Sequence, residues 1–158
     1  MSITVRPATA NDAYAACEVL RRSIRELCVA DHQNNEVILT EWLENKTTKN
    51  ITAWVTSPQS YSVVALRNSD IGGFAMVSRD GSLRLCYLIP EFQHLGVGKA
   101  MLSALEAEAA RWGLKSLHLE STKSAKAFYE RNGYASAESP IGSVGAQSAY
   151  PMRKTLAL

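Results

Sequence analysis

The run Leu88-Ile89-Pro90-Glu91-Phe92-Gln93-His94-Leu95-Gly96-Val97-Gly98-Lys99-Ala100 carries two glycines where strand-like residues give way to helix-like ones. The chemistry such a junction offers is anion binding. Backbone N–H groups at a helix start have no internal acceptor. The helix dipole adds partial positive charge at the same place. Glycines let the backbone approach phosphate oxygens without a Cβ in the way. Residues 93–100 are therefore a predicted phosphate site.

Two familiar phosphate loops do not fit. A nucleotide P-loop needs a glycine five positions before Gly98, followed after Lys99 by a hydroxyl that binds magnesium. Gln93 and Ala100 stand there instead. A dinucleotide fingerprint needs a third glycine three residues after Gly98, where the chain has Met101, and an opening βαβ unit. Cysteine chemistry is weakly signalled. Cys17, Cys28 and Cys86 are an odd set with no export signal, which argues against a disulfide framework. On one predicted helix, Cys17 and Cys28 stand about 16 Å apart, beyond disulfide reach. His32, His94 and His118 form no close cluster with them, so no structural zinc is expected. Cys86 reads as a small buried thiol.

The elements that must position this loop follow from periodicity. Ile3 to Arg6 alternates as a short strand. Thr9-Ala10-Asn11-Asp12 fits a capping box, and Ala13, Cys17, Leu20, Ile24 and Leu27 continue at helical spacing, giving a helix over about 11–29. Val37, Ile38, Trp42 and Leu43 predict a second helix. Ile51, Trp54 and Val55 predict a third, stopped near Ser57-Pro58. Tyr61–Leu66, Ile71–Ser78 and Ser82–Ile89 then read as three strands, with Asp80-Gly81 as a hairpin signal. They predict an antiparallel meander. After the loop, a helix over about 97–112 buries Val97, Met101, Leu105 and Ala109. Leu114 to Glu120 reads as a strand. Joined through a helix, it is expected parallel to Ser82–Ile89. Lys123 to Arg131 predicts a short helix, and a last strand lies within Ala146 to Leu156. The sum is a mixed α/β sandwich around one sheet.

Bulk properties bound the class. A chain of 158 residues, 46% apolar and 20% charged, is expected to form one soluble domain over 1–158. A net charge of +2 with no basic stripe gives no support for nucleic acid. No apolar run approaches the roughly 20 residues that span a bilayer, and the first residues lack a signal-peptide core. No membrane partner and a cytoplasmic location are the expectations.

The motif Gln93-x-x-Gly96-x-Gly98, after a strand and Pro90-Glu91, resembles the acetyl-CoA loop of the GNAT superfamily of N-acetyltransferases. Arg6-Pro7-Ala8-Thr9 with Asp12, Leu117-x-Leu119-Glu120-Ser121-Thr122, Phe128-Tyr129 with Gly133-Tyr134, and Met152–Leu156 extend the resemblance over essentially the whole chain. The glycine loop alone is moderately specific. With the Phe-Tyr and Gly-Tyr pairs about thirty residues on, it is strong.

The resemblance implies an antiparallel meander followed by a splayed parallel strand pair, with helices on both sheet faces. It implies acetyl-CoA as co-substrate, no metal, and transfer of acetyl to a primary amine by direct attack. By resemblance, backbone at Leu88 and Ile89 pairs with pantetheine, and the Leu88 N–H polarises the thioester carbonyl. Amides over Gln93, His94, Leu95, Gly96, Val97, Gly98, Lys99 and Ala100 hold the pyrophosphate. Thr122 stands where the family often has asparagine. Tyr129 matches the tyrosine that protonates the leaving thiolate.

The base is open: the strand Ser82–Tyr87 lacks the family's glutamate, which leaves Glu120 or a water relay. Trp42, Trp54, Arg79, Asp80 and Arg84 border the expected acceptor side, with the tryptophans read as core. A bulge decides the direction of Arg84. The acceptor is unnamed, and a homodimer is an open alternative. Acetyl-CoA sensing without turnover is the second reading.

Overall fold

The computed structural model describes residues 2–137 and 150–156. Its first sheet has the order β1-β2-β3-β4, all antiparallel: Ile3–Pro7, Ser60–Arg67, Asp70–Ser78 and Leu83–Leu88. The expected meander is therefore present, and β1 adds to its far edge. A second sheet has the order β5-β7-β6, from Ser116–Ser121, Tyr150–Thr155 and Ala135–Ser136. Pairing of β5 with β7 is antiparallel. The two-residue β6 is too short to leave a period in the sequence. The expected last strand begins at Tyr150, and Ala146 to Ala149 lie outside the described residues.

Alternation along the strands builds two cores. On β2, Val63 and Ala65 face one cluster, with Val97, Met101 and Leu105 of helix α5 (Val97–Arg111). Val64 and Leu66 face the other, with Ala13, Cys17 and Leu20 of helix α1 (Ala13–Leu27) and Ile51 of α4 (Thr48–Thr56). Helices thus cover both faces of the first sheet, the placement that a strand buried on both sides requires.

The long helix expected over 11–29 is divided. A 3₁₀ turn spans Ala10–Asp12, α1 follows, and α2 (Val29–His32) starts anew after Cys28. Cys28 has φ −107°, ψ 25°, outside the helical well, so Cys17 and Cys28 do not share one helix. Both are free and buried. The Asp12 carboxylate accepts from the Thr9 N–H (2.8 Å), as the capping box predicts. It also receives both terminal nitrogens of Arg6, at 2.8 and 3.0 Å, tying β1 to the helix start. The second and third helices appear as α3 (Glu36–Leu43), capped by Asn35, and α4, capped by Thr47. Helix α6 is shorter than expected, Lys126–Arg131. Residues 122–125 instead form a turn in which Thr122 Oγ1 accepts from Ala125 N at 3.2 Å.

Contact between the sheets is brief. Ser82 and His118 form one parallel bridge, and the His118 N–H donates to Gly81 O at 2.9 Å. Beyond it, β4 and β5 belong to separate sheets. The expected parallel relation of Ser82–Ile89 and Leu114–Glu120 is thus confined to its first residues.

Candidate active site

The glycine loop is set by what precedes it. Pro90–Phe92 is a 3₁₀ turn whose Phe92 is buried against Gly72; a Cβ on Gly72 would lie 2.5 Å from that ring. With the turn anchored, the chain runs exposed through Gln93, His94 and Leu95 into α5. His94 (φ 62°) and Gly96 (φ 77°) take left-handed backbone, and Gly96 caps α5 with nothing within 4 Å of its missing Cβ. Two of the eight predicted amides are already used: Gln93 N–H donates to Pro90 O and Ala100 N–H to Gly96 O. Those from His94 to Lys99 make no backbone hydrogen bond to described residues. They form the run of open donors that an anion at a helix start requires. Gly98 has a different role. It is buried, and its missing Cβ makes room for the Phe128 ring.

Beside this loop, β4 is the last strand of its sheet. Ile89 N–H donates to Gly72 O at 2.9 Å. Antiparallel ladders alternate bonded and open residues, so Tyr87 shares that side. Leu88 and Cys86 turn their N–H and C=O groups away from β3. Of the predicted pair, Leu88 offers an open donor and Ile89 does not.

These elements surround a cavity of about 530 Å³. Leu88, Gln93, His94, Gly96, Val97, Gly98, Lys99 and Thr122 line it, as do Cys86 and Tyr87. Ile89, Leu95, Ala100, Glu120 and Tyr129 do not. Sequence reasoning missed Ser23 and Leu27 of α1, Cys28 just beyond it, and Arg131 and Asn132 at the end of α6. Among the described residues no Asp or Glu lines this cavity, and no group of metal-ligating side chains forms anywhere.

Tyr129 is buried, 7% exposed, with edge contacts to Phe128 and Tyr134 at 5.2 and 5.7 Å between ring centres. Burial drives its phenol well above the usual value, and the nearby Cys86, Tyr87, Tyr134 and Cys28 act in the same direction. Tyr129 does not itself line the cavity, but the Phe128 ring it packs against does. Burial also pushes the Cys86 thiol up to about 12, and the Cys28 thiol likewise, with Asp31 adding to it. Thiols so held stay protonated and are poor nucleophiles near neutral pH.

The remaining candidates sit elsewhere. Glu120 is exposed at the end of β5, on the face opposite the buried Leu117, Leu119 and Ser121. Arg84 is the extra residue of a bulge, since Val77 pairs Leu83 while Met76 pairs Leu85. It turns to the hairpin, where its Nε donates to Ser78 Oγ (3.0 Å) and its guanidinium pairs with Asp80 (3.6 Å). Arg79 stacks on Trp112 at 4.5 Å. Trp42 packs with Ile24, Leu39 and Leu43, and Trp54 joins the α1–α4 core. Both tryptophans are packing residues, as expected.

The arrangement has close relatives in shape. The GCN5-related N-acetyltransferase of Rhodopseudomonas palustris superposes with a TM-score of 0.84 at 21% identity, over 99% of this chain and 97% of that one. The PaiA N-acetyltransferase of Thermoplasma acidophilum, solved with coenzyme A, gives 0.81 at 21% identity, over 98% and 99%. YncA of Salmonella typhimurium, solved with its cofactor acetyl-CoA, gives 0.72 at 19% identity, over 100% and 96%. At such identities the likeness establishes the fold. No curated protein matches the sequence. The family model for the acetyltransferase (GNAT) domain matches residues 28–156, which take in β4, the glycine loop, β5 and α6. On that match the chain belongs to the GNAT family of acetyltransferases.

Proposed function

We propose that the protein moves an acetyl group from acetyl-CoA to a primary amine of a small molecule or peptide, by direct attack with both substrates bound. One observation carries this reading. The open amides of His94 to Lys99 and the open N–H of Leu88 meet one cavity, which is also lined by Phe128, the ring in contact with Tyr129. Two structural neighbours solved with coenzyme A or acetyl-CoA support the choice of co-substrate.

When bound, acetyl-CoA supplies the acyl group as an activated thioester. The amides of His94 to Lys99 hold its pyrophosphate at the start of α5. The Leu88 N–H donates to the carbonyl oxygen, which gains negative charge as the amine adds. Tyr129 donates its proton to the departing sulfur, and the proton shed by the nitrogen as the amide forms restores the phenol. The high pKa of the Cys86 thiol supports direct attack over an acyl-cysteine route. The amine must lose a proton first. With no carboxylate in the cavity wall among the described residues, water carries that proton outward, and Glu120 receives it.

The test is thiol release from acetyl-CoA across a panel of amines, amino acids and peptides, alongside a melting-temperature shift with acetyl-CoA alone. Release that depends on one amine class supports the transferase. A shift without release from any acceptor points to acetyl-CoA sensing without turnover. Neither shift nor release overturns both readings.

A further inference from the structure

The cavity has a seam that the chain does not close covalently. Its α1 side ends at Leu27 and Cys28, and its opposite side is the β5–α6 turn, with Thr122, Ser124 and Ala125. One side chain crosses the seam. Asp31 Oδ1 accepts from Lys123 N at 2.7 Å and from Ser124 N at 3.4 Å, while Oδ2 accepts from Ser124 N at 3.3 Å and from the Ser124 hydroxyl. One carboxylate thus holds two consecutive amides and a hydroxyl more than ninety positions along the chain. Hydrogen bonds to an ionised acceptor are stronger than neutral ones.

The stub that carries Asp31 is itself fixed. The next residue, His32, is fully buried, 0% exposed. Its Nδ1 accepts from the Asn34 N–H at 3.0 Å, which leaves Nε2 to donate to Ile24 O at 2.8 Å. Trp42 meets the ring edge-on at 6.2 Å. On the other side of the seam, the turn passes its position on. Ala125 N is held by Thr122 Oγ1, and Ala125 O accepts the Tyr129 N–H at 3.1 Å.

We propose that Asp31 is a positioning residue: its clamp on Lys123 and Ser124 sets the width of the cavity at the acyl end and fixes the first turn of α6 under Tyr129. The phosphate end depends less on the clamp, because the amides of His94 to Lys99 hang on Phe92 and α5 and meet α6 through Phe128 against Gly98. This inference rests on the acetyl-CoA reading of the cavity. It predicts a split between the two ends of the cofactor that a general loss of structure does not produce.

The experiment is calorimetric binding of two probes, acetyl-CoA and adenosine 3′,5′-bisphosphate, to the parent, Asp31→Ala, Asp31→Asn and Ser124→Ala. Asp31→Ala should weaken acetyl-CoA about tenfold and the bisphosphate less than about twofold. Asp31→Asn, which keeps one acceptor oxygen for the Lys123 amide, should recover part of the loss. Ser124→Ala, which removes only the hydroxyl bond, should fall between the parent and Asp31→Ala. If Asp31→Ala binds both probes like the parent, or loses both equally, the positioning role is wrong. If the parent binds neither probe, the acetyl-CoA reading itself falls and takes the clamp with it. An amide-exchange measurement keeps the test open should Asp31→Ala prove poorly soluble. In Asp31→Asn, faster exchange at Lys123 and Ser124 with unchanged exchange at Gly98 and Lys99 supports the clamp, and uniform exchange overturns it.

Discussion

The Phe128 ring occupies the space in which a side chain at Gly98 would stand: a Cβ there would lie 2.7 Å from Cε1 and 2.8 Å from Cζ. Gly96, two residues earlier, has open space around it and left-handed backbone. The two glycines therefore answer to different constraints. Gly98→Ala should cost about 1–3 kcal/mol of stability through overpacking. Gly96→Ala should cost about 1 kcal/mol through backbone conformation alone. Chemical denaturation compares them, and a larger loss at Gly96 than at Gly98 would contradict the separation. Gly96→Glu, which adds charge to the anion site, should remove the acetyl-CoA melting shift in a protein that still folds.

Tyr129→Phe should lower turnover about 10²-fold or more while acetyl-CoA affinity stays nearly constant. The phenol is held well above its ordinary pKa by burial, so it remains protonated through neutral and mildly alkaline pH. Loss of the Tyr129 proton should therefore produce no alkaline decline in the rate below about pH 10. An unchanged rate in the phenylalanine variant, with chemistry limiting, would make Tyr129 a packing residue.

The rate should rise with pH, because the attacking species is the neutral amine, whose fraction grows about tenfold per pH unit below its pKa. A base on the protein flattens that rise above its own pKa. Glu120→Gln should remove the flattening and leave high-pH activity intact. A variant profile that overlays the parent would assign the proton to water alone.

Arg6 and Asp12 give the fold an acid-sensitive tie. The Arg6 hydrogen bonds, with help from Thr9, hold the Asp12 carboxyl down to about 2. A depressed folded-state pKa contributes stability at pH values above the unfolded one, near about 3.9, and the contribution is lost as pH falls toward 2. Asp12→Asn should cost roughly 1–2 kcal/mol at pH 7 and almost nothing at pH 2. Unfolding curves at the two pH values check the sign. A larger loss at pH 2 than at pH 7 would rule out the ion pair as its source.

Much of this was legible in the sequence, for physical reasons. The meander follows from strand formers divided by Asn68-Ser69-Asp70 and Asp80-Gly81, which are local signals. The phosphate loop follows from glycines at a strand-to-helix change. What stayed hidden depends on contacts between distant residues. The break at Cys28 is invisible because the apolar spacing of α1 continues through it. The direction of Arg84 turns on a bulge, which shifts alternation without any marker residue. The packing reason for Gly98 needs Phe128, thirty residues on, and Asp31 looks like any surface acid until Ser124 arrives.

The clamp also orders events in time. Asp31 and Ser124 are 93 positions apart, so their bond closes a long loop, and long-range closures form late because they cost chain entropy before any contact rewards them. A nascent chain exposes α1, the first sheet and the amide run of His94 to Lys99 well before the turn at 122–125 has been synthesised. The acyl side of the cavity therefore cannot close until residues 122–125 have been made. The helix behind the phosphate loop also waits for the later half of the chain, because its buried face shares a core with Leu117, Tyr129 and Met152.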